Sequence, residues 1–347
     1  MIAPAMAFRA PLATARPTIA AAPLAGARLH TAALALAALL AIPLSAAAQE
    51  YPVSPIKIVV PAGPGATTDA LARILADQFE KKWGQPVIVD NRAGAAGNIG
   101  TEYVVKAAPD GYTLLFSYPA PLVVNKSLYA KLAYDPDTLL PVSLAGTAPL
   151  VLAVNPKVAA RSVQELIDFA KANPKRLNYA SQGNGTSGHL AAELFKSMAG
   201  VEIVHVPYKS SAPAQADLLS GQVEMMFVEL SSVLQYIAAG KLRALAVGGE
   251  KRSPALPDTQ AMSEVLPGFV ALTWFGLLAP AKTPAAIVNR LSAATAEALQ
   301  QPAVARRLAG MSLEAIGSSP SEMALFMRQE RERWGNVVRT TGATAEY

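Results

Sequence analysis

The sequence predicts an α/β protein with a mainly parallel sheet. Short β-branched runs alternate with segments whose apolar residues recur at helical spacing, and glycine-rich loops join several strands to the helices that follow. This alternation is typical of βαβ units, which place parallel strands side by side. With 52% hydrophobic and 16% charged residues, the 347-residue chain is too apolar to be disordered and long enough for two modest domains or one large one.

The composition excludes several classes of function. The chain has no cysteine, which excludes disulfides, cysteine-bound zinc, iron–sulfur clusters and a catalytic thiol. Aromatic residues make up 6% of the chain, which is few for a nucleic-acid stacking surface. The formal charge of +5 includes three arginines within residues 1–48, so the remainder is close to neutral and nucleic acid is not an expected partner.

Residues 1–48 have the pattern of a secretion signal. A basic residue precedes an apolar run over residues 32–44, which is shorter than the about 20 residues that a membrane-spanning helix needs. Three alanines at 46–48 match a cleavage site of small residues, so we expect cleavage before Gln49 and an exported product. The leader is long, which makes Met6 an alternative start, and a membrane anchor is the alternative interpretation of the segment.

The first strand–helix unit is predicted from residue 56 onward. The run Ile56–Val60 is short and β-branched, as buried strands are, and the turn PAGPGATTD follows it. Apolar residues at helical spacing then predict a helix that stops at Gly84. The next predicted elements are a strand at 87–89, a helix at 99–107 and a strand at 112–117.

A second set of elements follows a long extended segment that begins at Val142. The pattern S-x-x-E from Ser162 predicts a capped helix start, and the pattern S-P-x-E from Ser319 predicts the start of the last helix. The other predicted elements are strands at 177–180, 201–206, 223–228 and 241–247, and helices at 189–200 and 283–300.

Two long extended segments suggest chain crossings between two domains. They run over Val142–Asn155 and Thr273–Ala281. This interpretation gives a first lobe split over residues 49–150 and 274–347, around a second lobe of residues 151–273. It is one of several arrangements that the periodicity allows.

A glycine motif lies between a predicted strand and a predicted helix. Gly183, Gly185 and Gly188 form the pattern G-x-G-x-x-G in the context of a dinucleotide-binding loop. Such a loop also needs an acidic residue at the end of the next strand, where this chain has Tyr208 and Lys209. Two other interpretations stay open, an anion site at the helix N-terminus and a tight turn without a ligand.

Residues that could carry catalysis or hold a metal are few. Beyond the leader the chain has two histidines, His189 and His205, and neither belongs to a hydrolase or zinc-protease motif. No spaced cluster of His, Asp and Glu predicts a metal site. We therefore expect no enzyme activity, no cofactor and no metal. An exported α/β enzyme that uses the glycine loops is the alternative function.

Eight segments, in order along nearly the whole chain beyond the leader, resemble one known family. They are similar to the Bug-type, or TctC-like, periplasmic solute receptors of tripartite tricarboxylate transporters. The segments are IKIVVPAGPGATTDALAR, GQPVIVDNRAGAAGNIG, KAAPDGYTLL, LNYASQGNGTSGHLAAELF, HVPYKSSAPAQADLLSGQV, AAGKLRALAV, LPDT and GLLAPAKTPAAIVNRL.

The resemblance implies a type II periplasmic binding protein fold, with two lobes of mixed, mainly parallel sheet flanked by helices and joined by two crossover segments. It implies a periplasmic receptor that captures a small carboxylate by hinge closure, without turnover, for membrane transporter subunits or a membrane sensor. We expect a monomer. The ligand-binding residues implied by position are Pro64, Gly65, Ala66, Thr67, Thr68, Asp69, Ser117, Tyr118, Ser181, Gly185, Thr186, His189, Tyr208 and Val228.

Three positions depart from the family pattern. Ala66 and Ser210 stand where glycine is usual, and Val228 replaces the aspartate that commonly follows Met-Phe. Valine has no acceptor for an ammonium or hydroxyl group, so Val228 at the cleft predicts a ligand with an apolar or aromatic body rather than an amino acid. Glu229 is one residue further on, and strand alternation would turn it to the opposite side unless the strand has already turned there. The alternative interpretation is that Val228 only packs beneath the cleft.

Overall fold

The computed structural model describes residues 51–344. The predicted secretion signal, its cleavage site and the alternative start at Met6 lie outside the described residues. The strands are β1 Ile56–Val60, β2 Val87–Asn91, β3 Thr113–Ser117, β4 Leu140–Val154, β5 Asn178–Ser181, β6 Val204–Pro207, β7 Met225–Glu229, β8 Arg243–Val247, β9 Leu272–Ala279 and β10 Glu314–Ala315. The helices are α1 Thr67–Trp83, α2 Asn98–Val105, α3 Asn125–Leu128, α4 Val163–Ala172, α5 Ser187–Ala199, α6 Ser211–Ser220, α7 Leu230–Ala238, α8 Ala285–Gln300, α9 Pro302–Gly310 and α10 Pro320–Thr341.

The strands form one connected mixed sheet with two parts. Sheet A has the order β2-β1-β3-β9-β4, with β10 also on β4. Sheet B has β7 and β8 beside the end of β4, followed by β5 and β6. The pairs that involve β1 or β5 are parallel, and those that involve β4 or β9 are antiparallel. The predicted mixed α/β fold is confirmed, but the sheet is not mainly parallel, because four of the strand pairs in the described residues are parallel and five are antiparallel.

Strand β4 belongs to both parts of the sheet. Its residues 140–149 pair with β9, and residues 150–154 pair with β7 and β8. Beside this junction the Leu150 amide donates to the Ala271 carbonyl, and the Gly248 amide donates to the Leu150 carbonyl. The long extended segments of the sequence are therefore the strands β4 and β9, which pair side by side in sheet A, and β4 continues into sheet B.

Helices cover both faces of each sheet. On sheet A, α1 and α8 pack over an apolar layer that contains Phe79, while α10 packs over the opposite layer, which contains Trp274 and Trp334. The indole N–H groups of these two tryptophans donate to the buried Glu330 carboxylate at 3.0 and 2.8 Å. On sheet B the corresponding layers contain Phe227 and Val228, one on each face. No helix within residues 51–344 is both long enough and apolar enough to span a membrane.

The predicted helix ends occur where the sequence places them. Gly84 has φ 66° and ends α1, as a left-handed C-terminal cap. The Ser162 hydroxyl accepts from the Glu165 amide at 3.2 Å, and Ser319 forms a reciprocal capping box with Glu322 at the start of α10.

Candidate functional site

A cavity of about 580 Å³ opens at the carboxyl ends of the parallel strands. Its wall contains the residues that directly follow β1, β3, β5 and β6, together with the last residue of β7. In open α/β sheets ligands bind at this edge. The wall includes polar and aromatic side chains, among them those of Thr67, Thr68, Tyr118, Gln182, Asn184, Thr186, Ser187, Tyr208, Lys209, Ser211, Gln215, Glu229, Ser232, Thr273 and Phe275.

The N-terminus of the 17-residue helix α1 opens on the cavity beside sheet A. Gly65 has φ 82°, a conformation that favours glycine, and it lets the chain turn into the helix. The N-cap residue is Ala66, and no side chain caps this helix end. The first amides of a helix have no partner within the helix, so those of Thr67 and Thr68 are available to a ligand. Both threonines line the cavity.

Asp69 lies behind this loop and holds it in place. One carboxylate oxygen accepts from the Gly65 amide at 2.9 Å and from Arg73 at 3.1 Å, and the other accepts from Asn91 at 3.0 Å. Asn91 in turn donates to the Ala62 carbonyl at 3.0 Å. Burial alone would raise the pKa of Asp69, but the hydrogen bonds from Arg73 and Gly65 outweigh it and lower that pKa.

Replacing Asp69 with alanine should destabilise the protein by about 2–3 kcal/mol, because it leaves the Gly65 amide and the Asn91 amide without their acceptor. Ligand affinity should fall as well, because the loop loses its anchor. Asp77→Ala removes an exposed carboxylate from the same helix and is the matched control. Urea denaturation gives the free energy of unfolding of both variants. Equal values for Asp69→Ala and Asp77→Ala would contradict the role of Asp69 as the anchor of the loop.

The glycine loop after β5 forms the facing wall beside sheet B. Gly183 and Gly185 have φ 124° and 77°, and a Cβ on Gly185 would lie 2.4 Å from Leu128 Cδ2. Thr186 caps α5, because its hydroxyl accepts from the His189 amide and donates to the Gly183 carbonyl at 2.8 Å. The N-terminus of α5 is thus partly satisfied by its own cap, unlike that of α1.

A buried group of polar side chains supports the glycine loop from behind. The Ser181 hydroxyl lies 2.6 Å from His205 Nε2, and His189 Nδ1 accepts from the Gly185 amide at 3.0 Å. The two imidazoles stack with centroids 4.3 Å apart, and Tyr179 stacks on His205 at 4.6 Å. Burial lowers the pKa of His189 to about 4 and that of His205 to about 3. Both rings are therefore neutral at physiological pH.

The Ser181–His205 pair has the spacing of a nucleophile and its base, but it does not face the cavity. The Ser181 side chain is fully buried, and its hydroxyl also contacts the Gly183 backbone amide and carbonyl. Neither Ser181 nor His205 is part of the cavity wall. Its contacts are those of a residue that fixes the glycine loop.

Hydrogen-bonded polar side chains form the far end of the wall on sheet B. Gln182 Nε2 donates to Glu229 Oε2 at 2.9 Å and to the Ser211 hydroxyl at 3.2 Å. Gln215 Nε2 donates to the same Ser211 hydroxyl at 2.7 Å and to Ser232 at 3.2 Å. This network fixes the Glu229 carboxylate at the cavity.

Aromatic side chains complete the wall. Burial, with Tyr129 and Glu229 nearby, raises the pKa of Tyr118. The Tyr208 hydroxyl donates to Asp217 at 2.6 Å, and burial together with this carboxylate raises the pKa of Tyr208 to about 12. Both phenols are neutral at physiological pH, and both residues line the cavity. Phe275 of β9 adds a third ring.

The structure brings half of the residues predicted for the site to the cavity. Those that line it are Gly65, Ala66, Thr67, Thr68, Tyr118, Thr186 and Tyr208. Those that lie outside its wall are Pro64, Asp69, Ser117, Ser181, Gly185, His189 and Val228. In the second set, Asp69, Ser181 and His189 each bond to the backbone of a loop that lines the cavity. The direct ligand contacts of the first set remain a prediction.

The structure reverses the expected orientations of Val228 and Glu229. Val228 is fully buried in the apolar layer on one face of sheet B, whereas Glu229 lines the cavity. Alternation does not apply at Glu229, because it is the last residue of β7 and α7 begins directly after it at Leu230. The side chain that lines the cavity at the end of β7 is a carboxylate and not a valine.

Several lining residues were not predicted from the sequence. Gln182 and Glu229 stand at the ends of β5 and β7, where the rule that ligands bind at strand carboxyl ends could have found them. Thr273 and Phe275 lie within β9, and no local signal marks them as cavity residues. The other polar side chains of the wall outside the predicted set are those of Tyr129, Asn184, Ser187, Lys209, Ser210, Ser211, Gln215 and Ser232.

Comparison with known proteins agrees with this geometry. The family model described as the tripartite tricarboxylate transporter family receptor, TctC, matches residues 71–343. The chain belongs to the TctC receptor family. Protein BugT of Bordetella pertussis is 42% identical to it over 307 residues, covering 88% of this chain and 94% of BugT. Members of this family are solute-binding receptors and not enzymes.

Two solved structures of related receptors carry carboxylates. R. palustris Rpa4515 with adipate superposes with a TM-score of 0.80 at 37% identity, covering 85% of this chain and 99% of that one. MatC (Rpa3494) from Rhodopseudomonas palustris with bound malate gives a TM-score of 0.76 at 31% identity, covering 83% of this chain and all of the other. The fold of this TctC receptor is therefore that of known periplasmic receptors.

Proposed function

We propose that this TctC receptor is exported to the periplasm and captures a small carboxylate in the cavity. The observation that carries the proposal is the uncapped N-terminus of α1, whose free amides and two threonines face the cavity. A helix N-terminus favours an anion through its dipole and its unpaired N–H groups. The adipate and malate bound by the two related receptors support a carboxylate as that anion.

The body of the ligand packs against apolar and aromatic surface. Pro61, Tyr118, Tyr208 and Phe275 line the cavity between its polar ends. The preference for an apolar or aromatic body over an α-amino acid, predicted from Val228, is thus proposed here on these side chains instead. An α-ammonium group next to the carboxylate would be repelled by the partial positive charge at the N-terminus of α1, which would lower the affinity for an α-amino acid.

We propose that two lobes, residues 49–150 with 274–347 and residues 151–273, close on the ligand. Each supplies one wall of the cavity, so neither alone surrounds a bound molecule. Small-angle scattering should show a smaller radius of gyration with a saturating carboxylate than without it. A radius unchanged at saturation would contradict closure.

The proposal includes a cleaved secretion signal and a membrane partner. We expect cleavage between Ala48 and Gln49, a monomeric receptor, and delivery of the carboxylate to integral-membrane transporter subunits. A membrane sensor that recognises the closed receptor is the alternative partner. Mass spectrometry of the exported protein tests the cleavage site directly.

A panel of mono- and dicarboxylates tests the receptor function. A true ligand should stabilise the protein by about 2.7 kcal/mol at a hundredfold excess over Kd, and it should be recovered unchanged. Conversion of the ligand would favour the enzyme alternative. No stabilisation by any carboxylate would contradict the proposed function.

Substitution of the threonines at the two helix starts tests the position of the carboxylate. Thr67→Ala should weaken binding by about 1.5–3 kcal/mol, the value of a hydrogen bond to a charged group. Thr186→Ala should weaken it too and also lose about 1 kcal/mol of stability, because Thr186 caps α5. Thr340→Ala, at an exposed position of α10, is the control. If calorimetry finds wild-type affinity in both cavity variants, these two helix starts do not bind the carboxylate.

A further inference from the structure

The cavity contains a carboxylate of its own, that of Glu229, on the wall beside sheet B, whereas the α1 N-terminus lies on the wall beside sheet A. Glu229 is half-buried in the wall on sheet B, and its Oε2 accepts from Gln182. Lys209 is the other charged residue of the wall and is exposed at the surface. No lysine or arginine within residues 51–344 forms an ion pair with Glu229.

The neighbours of Glu229 leave it able to accept further hydrogen bonds. An ionised carboxylate has about four acceptor positions, and Gln182 occupies one of them. The nearby amide hydrogens of Gln215 go to Ser211 and Ser232, not to Glu229. The Ser232 hydroxyl donates to the Glu229 backbone carbonyl at 2.8 Å, so it is also committed elsewhere.

This arrangement discriminates between ligand ends. A second carboxylate placed beside Glu229 would be repelled, and a plain hydrocarbon end would leave the glutamate partly desolvated without a partner. A protonated amine or a hydroxyl would form a charge-assisted hydrogen bond with it. The α1 N-terminus therefore favours an anionic group of the ligand, and Glu229 favours a protonated amine or a hydroxyl.

We propose that Glu229, oriented by Gln182, is a specificity-determining residue that binds a hydrogen-bond donor at the end of the ligand remote from the carboxylate. The ligand class is then an ω-amino or ω-hydroxy carboxylate with an apolar middle. This inference rests on the proposed carboxylate-receptor function.

Calorimetry with matched ligands tests it. The probes are the ω-amino, ω-hydroxy, unsubstituted and dicarboxylate forms of four- and six-carbon acids, each measured with wild type, Glu229→Gln and Glu202→Gln. Glu202 is an exposed glutamate outside the cavity wall, so its substitution controls for the loss of one negative charge. Glu229→Asp, which keeps the charge, tests for partial rescue.

In the wild type the ω-amino or ω-hydroxy acid should bind more tightly than the unsubstituted acid and the diacid. Glu229→Gln should lower the affinity for the ω-amino acid by about tenfold and raise the affinity for the diacid. Glu202→Gln should leave the order of ligand affinities unchanged. If the carboxylates bind but their order is the same in Glu229→Gln, the inference is wrong and the receptor function stands. If no carboxylate binds the wild type, the proposed function fails and this inference with it.

Discussion

Gly188→Ala should be among the most damaging single-methyl additions in this protein. A Cβ at Gly188 would lie 2.3 Å from the carbonyl oxygen of Phe227, a backbone atom of β7 that cannot move aside as a side chain can. Either α5 or β7 must shift, and overpacking of this kind costs about 3 kcal/mol. The same helix start carries Thr186 and Ser187 into the cavity, so ligand affinity should fall together with stability.

Gly310→Ala is the matched control for this substitution. Gly310 is the last residue of α9, and a Cβ there would meet nothing within 4 Å. Alanine is favoured over glycine in a helix by about 1 kcal/mol, so this variant should be as stable as the wild type or slightly more so. Urea denaturation midpoints of Gly188→Ala and Gly310→Ala compare the stabilities of the two variants. A Gly188→Ala protein with the stability and ligand affinity of the wild type would show that α5 and β7 do not need their close approach.

Acid should destabilise the protein well above the pH at which its carboxylates titrate. In the folded state burial holds the pKa of His189 at about 4 and that of His205 at about 3, whereas an unfolded histidine has its ordinary pKa of about 6.5. Unfolding therefore takes up protons as the pH falls below about 6.5. Each histidine then removes up to about 1.4 kcal/mol of stability per pH unit until the pH approaches its folded pKa.

Denaturation at several pH values between 7.5 and 5 isolates this effect, because Asp and Glu titrate below that window. Full stability should be present above about pH 6.5, with a loss on acidification that His189→Gln reduces by about half. The slope of the free energy of unfolding against pH is the quantity to compare between wild type and His189→Gln. The absolute stability of the variant also falls, because the substitution removes the acceptor of the Gly185 amide. A flat profile between pH 6.5 and 5 would mean that both rings carry a proton in the folded protein.

The sequence predicted the local elements well because their determinants are local. The strand Ile56–Val60 occurs at the predicted residues, since a β-branched run bounded by a glycine–proline turn has few alternatives. The stop of α1 at Gly84 and the start of α10 at Ser319 follow from a left-handed glycine and a capping box.

The cavity was less predictable, because it depends on which side of a loop faces inward. The resemblance selected the two loops that form opposite walls, but Gly185 and His189 face the interior of the protein while Thr186, between them, lines the cavity. Phe275 reaches the cavity only because β9 pairs with β3 and β4, and pairing between strands so distant in sequence has no local signature. The side chain of Glu229 lines the cavity because β7 ends at this residue, and the sequence left open whether the strand turns there.

The position of β9 between β3 and β4 has a consequence for how the chain folds. Sheet A cannot be completed early, because β9 must insert between β3 and β4, and all of sheet B apart from β4 lies in the chain between those strands and β9. Such a topology has high contact order, which slows folding. Until Leu272–Ala279 docks, β3 and the first part of β4 each present an unpaired edge to solvent. The partly folded chain should therefore be prone to aggregation, and a truncation that removes β9 should leave both sheet A and the cavity wall at Phe275 incomplete.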